Sequence, residues 1–210
     1  MVGLKSDEYY EIIGRINELE NIVNNLKLEN RDNIGEVNDD MEDIKESKIS
    51  KNEAISQVKQ ILDPILKSKD FFVRKAILKN GEGSGILLES NDKLKNKKIM
   101  LKKSKDYAKQ YNFDDMFKFS GWFTASDSEL NEYDGYIFVV YKNSIPTYFV
   151  FNRSEMKQVL EHKKKDSAGK YHFYLAEDDQ GLYFDHRDGG LHLTGNVDAW
   201  HFIEEVVSEE

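Results

Sequence analysis

The stretch GYIFVVYKNSIPTYFVFNR, residues 135–153, decides the fold. Its first eight residues are the most apolar run in the chain, rich in aromatic and β-branched side chains, which reads as a central strand buried on both faces. A short connection holding Asn143 and Ser144 leads into PTYFVFNR, a second strand beside the first. Upstream, FFVRKAIL (71–78) and SGILLES (84–90) flank Asn80, Gly81, Glu82 and Gly83, a composition that predicts a β-hairpin. KKIMLKKSK (97–105) reads as a third strand, with Ile99 and Leu101 on one face and Met100 and Lys102 on the other, so that its lysines project from a sheet. Between 106 and 133, Phe113, Phe117, Trp122 and Phe123 are expected to fold a helix and loop over that sheet.

Downstream, Ser154 is expected to cap the helix EMKQVLEHKKK, which has Glu155 in its first turn and lysines in its last, matching the helix dipole. YHFYLAE and GLYFDHR read as a final hairpin, and AWHFIEEVV as a closing amphipathic segment anchored by Trp200, Phe202 and Ile203. Most of the 11 Tyr, 12 Phe and 2 Trp lie after residue 70, which puts most of the buried area there. The expected fold class is therefore α+β: a mixed-sheet domain over 69–210, preceded by a helical arm over 1–68.

The arm rests on a different periodicity. Ile12, Ile16, Leu19, Val23 and Leu26 alternate steps of four and three, as a coiled-coil seam requires. A second register links Val37, Met41 and Ile44, passes through Lys48 and Lys51, and resumes at Ile55, Val58, Leu62 and Ile65. Asn30, Asp32, Asn33 and Gly35, all poor helix formers, fall where the phase changes, which favours a helical hairpin over one continuous helix. Asp63 and Pro64 suggest a kink or a new first turn. Two uses of the arm stay open: packing against its own α/β domain, or self-association through Ile12, Ile16, Leu19, Val23 and Leu26 into a homo-oligomer. The narrow seam in a highly charged surface favours the second.

Charge is uneven. Residues 1–53 hold 14 acidic and 7 basic side chains of the chain's 39 and 30, which leaves 25 and 23 for the rest, so the acidity belongs to the arm. With no cysteine, disulfides, thiolate zinc sites and a cysteine nucleophile are excluded. A cytoplasmic location and no membrane contact are expected, because no apolar run resembles a signal sequence or approaches the roughly 18 residues of a span.

Motifs for chemistry are scarce. Gly81, Gly83 and Gly85 lack the lysine and hydroxyl partners of a phosphate-cradling loop, and the Gly169, Lys170 pair lacks the earlier glycine, so both read as turns. His186, His192 and His201, with Asp185 and Asp188 nearby, could be imagined around a metal. No histidine pair has i, i+4 spacing, however, and Arg187 to Gly190 reads as an ordinary turn, so no metal and no cofactor are expected.

The order of elements over 70–165, with SGILLES, KKIMLKKSK and YDGYIFVV followed by PTYFVFNRSEM, resembles the core of the PD-(D/E)XK superfamily, the restriction-endonuclease-like nucleases. The resemblance implies a metal-binding Asp at Gly85, an acidic or amide ligand at Met100 and a lysine at Lys102. Only the lysine is present. A thioether does not hold Mg²⁺, so phosphodiester hydrolysis is not expected, and Glu89 and Lys102 are left as vestigial candidates. Gly85→Asp with Met100→Glu would be expected to bring two carboxylates into one pocket. Lys97, Lys98, Lys102, Lys103 and Lys105 remain to neutralise phosphates, against the alternative that they only keep sheet edges soluble.

The functional expectation is a non-catalytic, nuclease-like nucleic-acid-binding protein, self-associating through its arm, in a bacterial defence or mobile-element setting. The alternatives are a protein-interaction module whose acidic arm meets a basic partner, and an atypical metal-dependent nuclease built around Glu89 and Lys102.

Overall fold

The computed structural model describes residues 49–77 and 84–208. The first seam of the arm and the Asn80 to Gly83 turn lie outside these residues. Helix α1 (Lys51–Leu66) starts at Ser50, whose hydroxyl accepts the Glu53 amide at 3.1 Å and satisfies one of the first-turn donors. Strands β1 (Phe71–Ile77), β2 (Ser84–Ser90) and β3 (Lys97–Lys105) form an antiparallel meander. After β4 (Phe117–Ser126) and the short α2 (Asp127–Asn131), β5 (Gly135–Lys142) returns parallel to β3, and β6 (Ile145–Asn152) pairs antiparallel with β5. Helix α3 (Arg153–Glu161), β7 (Lys170–Asp178), β8 (Tyr183–Asp185), β9 (Leu191–His192) and α4 (His201–Ser208) follow.

Two sheets result, ordered β1-β2-β3-β5-β6 and β4-β7-β8-β9. A parallel pair cannot be joined by a tight turn. Here the crossover from β3 to β5 carries β4, the first strand of the second sheet. The layers are helices, mixed sheet, antiparallel sheet. On the helical side, Ile55, Val58 and Leu62 of α1 and Ile203 and Val206 of α4 bury Ile86, Ile99, Leu101, Ile137 and Val139. Between the sheets, Phe138 stacks on Phe123 at 5.0 Å and meets Phe173 edge-on at 5.1 Å. Each fully buried side chain of this size contributes about 1.5–3 kcal/mol. The alternation of Ile137, Val139 and Tyr141 with Tyr136, Phe138 and Val140 between the two cores accounts for the unbroken apolar run of β5.

At Gly121, a Cβ would fall 2.4 Å from Val140 Cγ2. Only glycine lets β4 approach β5 this closely.

Three expectations are corrected. The aromatic region 106–133 holds strand β4 rather than a helix and loop: Phe119, Phe123 and Ala125 face inward at period two, as a half-buried strand requires. The cap of α3 is Asn152, which accepts the Glu155 amide at 2.8 Å, because the helix begins directly where β6 ends. That helix stops at Glu161, and Lys163 turns inward to a buried ion pair instead of extending the last turn. In addition, Ile55, Val58 and Leu62, read as a continuation of the arm's seam, are buried against the chain's own sheet. For this part of the arm, intramolecular packing is what the helix does. Among the described residues, no helix is long and apolar enough to cross a membrane.

Candidate functional site

The lysine run of β3 is continuous in sequence and divided in space. Lys97 and Lys103 are six residues apart on one strand, about 20 Å at 3.3 Å per residue. Lys98 lies beside Asp134, whose carboxylate accepts its backbone amide at 2.7 Å. Lys102 and Lys103 sit at the other end, on an open cleft of about 330 Å³. Lys105, one alternation further along, lies over the Tyr107 ring at 5.0 Å.

The cleft is lined by Lys51 at the start of α1, by Met100 to Lys103 of β3, by Trp122, Phe123 and Thr124 of β4, by Glu129 of α2 and by Tyr133. Three lysines therefore face one carboxylate. Lys102 is already committed: its Nζ is 2.7 Å from Glu129 Oε1 and donates to the Thr124 carbonyl at 2.5 Å. Together with Ser104, whose Oγ accepts the Trp122 amide at 2.9 Å, it satisfies the outer edge of β4 and ties the two sheets together. Lys51 and Lys103 have no carboxylate partner among the described residues. Burial lowers the Lys51 pKa from its ordinary value, and repulsion from Lys102, Lys75 and Lys103 lowers it further, against partial relief from Glu129. Among the described residues, Glu129 is the carboxylate set against these three like charges.

The aromatic wall is held in place. Trp122 donates its indole N–H to His172 Nδ1 at 3.1 Å, and the two rings lie within 14° of coplanar. Since Nδ1 accepts, the ring proton is on Nε2, which donates to Asp166 Oδ2 at 2.7 Å. Asp166 is fixed in turn by the Ala168 and Lys170 amides at 2.9 and 2.8 Å, and these bonds, that to His172 first, hold its carboxyl below the usual range. Neither this relay nor the place of Lys51 at the cleft was expected from the sequence.

The vestigial nuclease positions do not converge. Leu88 pairs with Lys97, so Glu89 lies level with Asn96, about 20 Å along β3 from Lys102 by the strand rise. Glu89 instead meets Arg74 at 3.1 Å. Gly85 lies level with Met100 by the same register, but a Cβ there would fall 2.7 Å from the Ile99 carbonyl and 3.0 Å from Tyr133, so Gly85→Asp requires β2 or β3 to shift.

The histidine group is also dispersed into structural roles. His186 is fully buried, packed against Phe113 and Phe117, with Nε2 at 3.0 Å from Ser120 Oγ. Burial, with a smaller contribution from Lys163, pushes its pKa down to about 3. Asp185 binds Lys163 at 2.5 Å, and His192 packs on Phe184 at 4.4 Å. Among the described residues there is no group of three or more His, Asp or Glu able to hold a metal ion.

Compared with models of known families, with curated proteins and with solved structures, the chain has no significant match.

Proposed function

We propose that this chain is a nucleic-acid-binding protein with no phosphodiester hydrolysis of its own, holding backbone phosphates at the lysine-rich end of its mixed sheet. One observation carries the reading: Lys51 and Lys103, from two different elements, meet at one cleft with no carboxylate partner among the described residues. Lys75 and Lys105 extend the same positive region. Lysine-to-phosphate contact is indifferent to sequence and gains its free energy from released counterions.

The order of α1, the β1 to β3 meander, the parallel return to β5, then β6 and α3, supports a restriction-endonuclease-like core whose catalytic positions have been lost. Self-association through Ile12, Ile16, Leu19, Val23 and Leu26 belongs to the same proposal. Replacing Leu19 and Val23 with Asp is expected to give monomers in sedimentation, whereas an unmodified protein already monomeric at tens of micromolar, where typical associations form, overturns that part. The atypical-nuclease alternative has no support from the separation of Glu89 and Lys102.

Fluorescence anisotropy with labelled single- and double-stranded oligonucleotides tests the reading. Binding should tolerate sequence and weaken with salt, with a logarithmic slope of about 0.7 per engaged lysine on single strands. Absence of binding at low salt to any DNA or RNA overturns it in favour of the acidic arm meeting a basic protein.

A further inference from the structure

We infer that the cleft is a single-nucleotide pocket, taking a nucleoside 5′-monophosphate with its phosphate between Lys51 and Lys103 and its base against Trp122. This deepens the nucleic-acid reading and rests on it for the choice of phosphate as the anion. The volume of about 330 Å³ lies at the small end of ligand pockets, which run from about 300 to 1,000 Å³. That suits one nucleotide better than a length of strand.

Inorganic phosphate would use only the lysines. It would make no use of Trp122, the half-buried aromatic of the lining, whereas Met100, Phe123 and Tyr133 already belong to the buried core between the sheets. A base uses Trp122, because every base has a π-face to set against an aromatic ring. Trp122 is prepared for this: its indole N–H is occupied by His172, which Asp166 orients, so the ring does not have to be ordered when a ligand arrives. Lys102 is neutralised by Glu129 and held by Thr124, which leaves the phosphate to Lys51 and Lys103. The Glu129 carboxylate, partly exposed at the rim, adds an acceptor suited to the exocyclic amine of adenine or cytosine. The same chemistry is presented by a free nucleotide and by the 5′-phosphorylated end of a strand.

Trp122 and Trp200 are the two tryptophans, so Trp200→Phe leaves Trp122 as the sole indole reporter. This protein is titrated with adenosine 5′-monophosphate, with inorganic phosphate, and with single strands of about 12 nucleotides, within the usual range of site sizes, bearing either a 5′-phosphate or a 5′-hydroxyl. Saturable quenching by the monophosphate, with little effect of inorganic phosphate, is the expected result. Lys103→Ala should weaken it about tenfold, the loss of one charge-assisted contact.

Stronger binding of the 5′-phosphorylated strand than of its 5′-hydroxyl counterpart assigns the site to strand ends. Quenching by the monophosphate without oligonucleotide binding keeps the pocket, assigns it to free nucleotide and overturns the nucleic-acid reading. If the monophosphate has no effect while both strands bind alike, the pocket inference falls and the nucleic-acid reading stands. Calorimetric titration of the monophosphate into the tryptophan-intact protein and its Lys103→Ala variant, an exposed substitution, keeps the test decisive if Trp200→Phe does not fold.

Discussion

Lys163 and Lys103 are the same residue put to opposite uses. The Lys163 side chain is withdrawn from solvent to 3% exposure, lies 2.5 Å from Asp185 and 3.5 Å from Asp188, and rests over the Phe173 ring at 5.1 Å. Asp185 is itself saturated by the Tyr174 and Arg187 amides at 3.0 and 3.2 Å. At the cleft, Lys51 and Lys103 are set beside Lys102, which is paired with Glu129, the one lining carboxylate among the described residues. The difference teaches that this fold neutralises a lysine where the structure requires it. Lys51 and Lys103, left without a carboxylate partner among the described residues, are the feature on which the proposed phosphate contact rests.

If the first region is structural, breaking its ion pair should have the largest effect. Lys163→Met leaves Asp185 buried without its countercharge and should cost about 3–5 kcal/mol in denaturant unfolding; a change below 1 kcal/mol would mean that water reaches the site. Next comes the packing that brings β4 to the cleft. Gly121→Ala drives a methyl into Val140 and should cost about 1–3 kcal/mol.

The buried polar region also sets a pH dependence in the acid range. His186 has its pKa pushed down to about 3 in the fold, so the unfolded chain takes up its proton first. Stability from this group is complete above about pH 6.5, the free histidine value, and falls on acidification toward pH 3, at up to about 1.4 kcal/mol per pH unit. Asp166, held low by His172, adds its own loss below the ordinary carboxylate value of 3.8. Chemical denaturation between pH 6.5 and 4.5 should show this loss, opposed in part by Asp198, whose carboxyl burial holds above its ordinary value, and His186→Phe with Ser120→Ala should remove the His186 part of the profile.

The smallest effect on stability is expected at the cleft. Lys51→Ala with Lys103→Ala should change unfolding free energy by no more than about 0.5 kcal/mol, as surface substitutions do. A large loss would assign these lysines to the fold instead of to a ligand.

How much of this was legible in the sequence follows from where each feature's residues lie. Strands β1, β2, β3, β5 and β6 are each one run bounded by polar turns, and they read directly. The Ser50 to Glu53 spacing that caps α1 is a local start signal for the helix. Strand β4 was hidden because a register shift between Phe117 and Phe119 interrupts its alternation and Gly121 stands at an inward position. The cleft was half legible. Lys102 and Lys103 stood out as part of a basic run, but strand geometry divides that run between two ends of β3, and Lys51 joins it only because α1 packs on the sheet. The Asp166, His172 and Trp122 relay depends on the β4 to β7 register, which no local pattern announces.

The central claim is that the uncompensated lysines of the cleft exist to meet phosphate. It is tested most directly by the salt dependence of single-stranded oligonucleotide binding for the unmodified protein and for Lys51→Ala with Lys103→Ala, at equal folded stability. The account predicts weaker binding in the variant, with a logarithmic salt slope shallower by about 0.7 for each lysine removed. Identical affinities and identical slopes for the two proteins would contradict it.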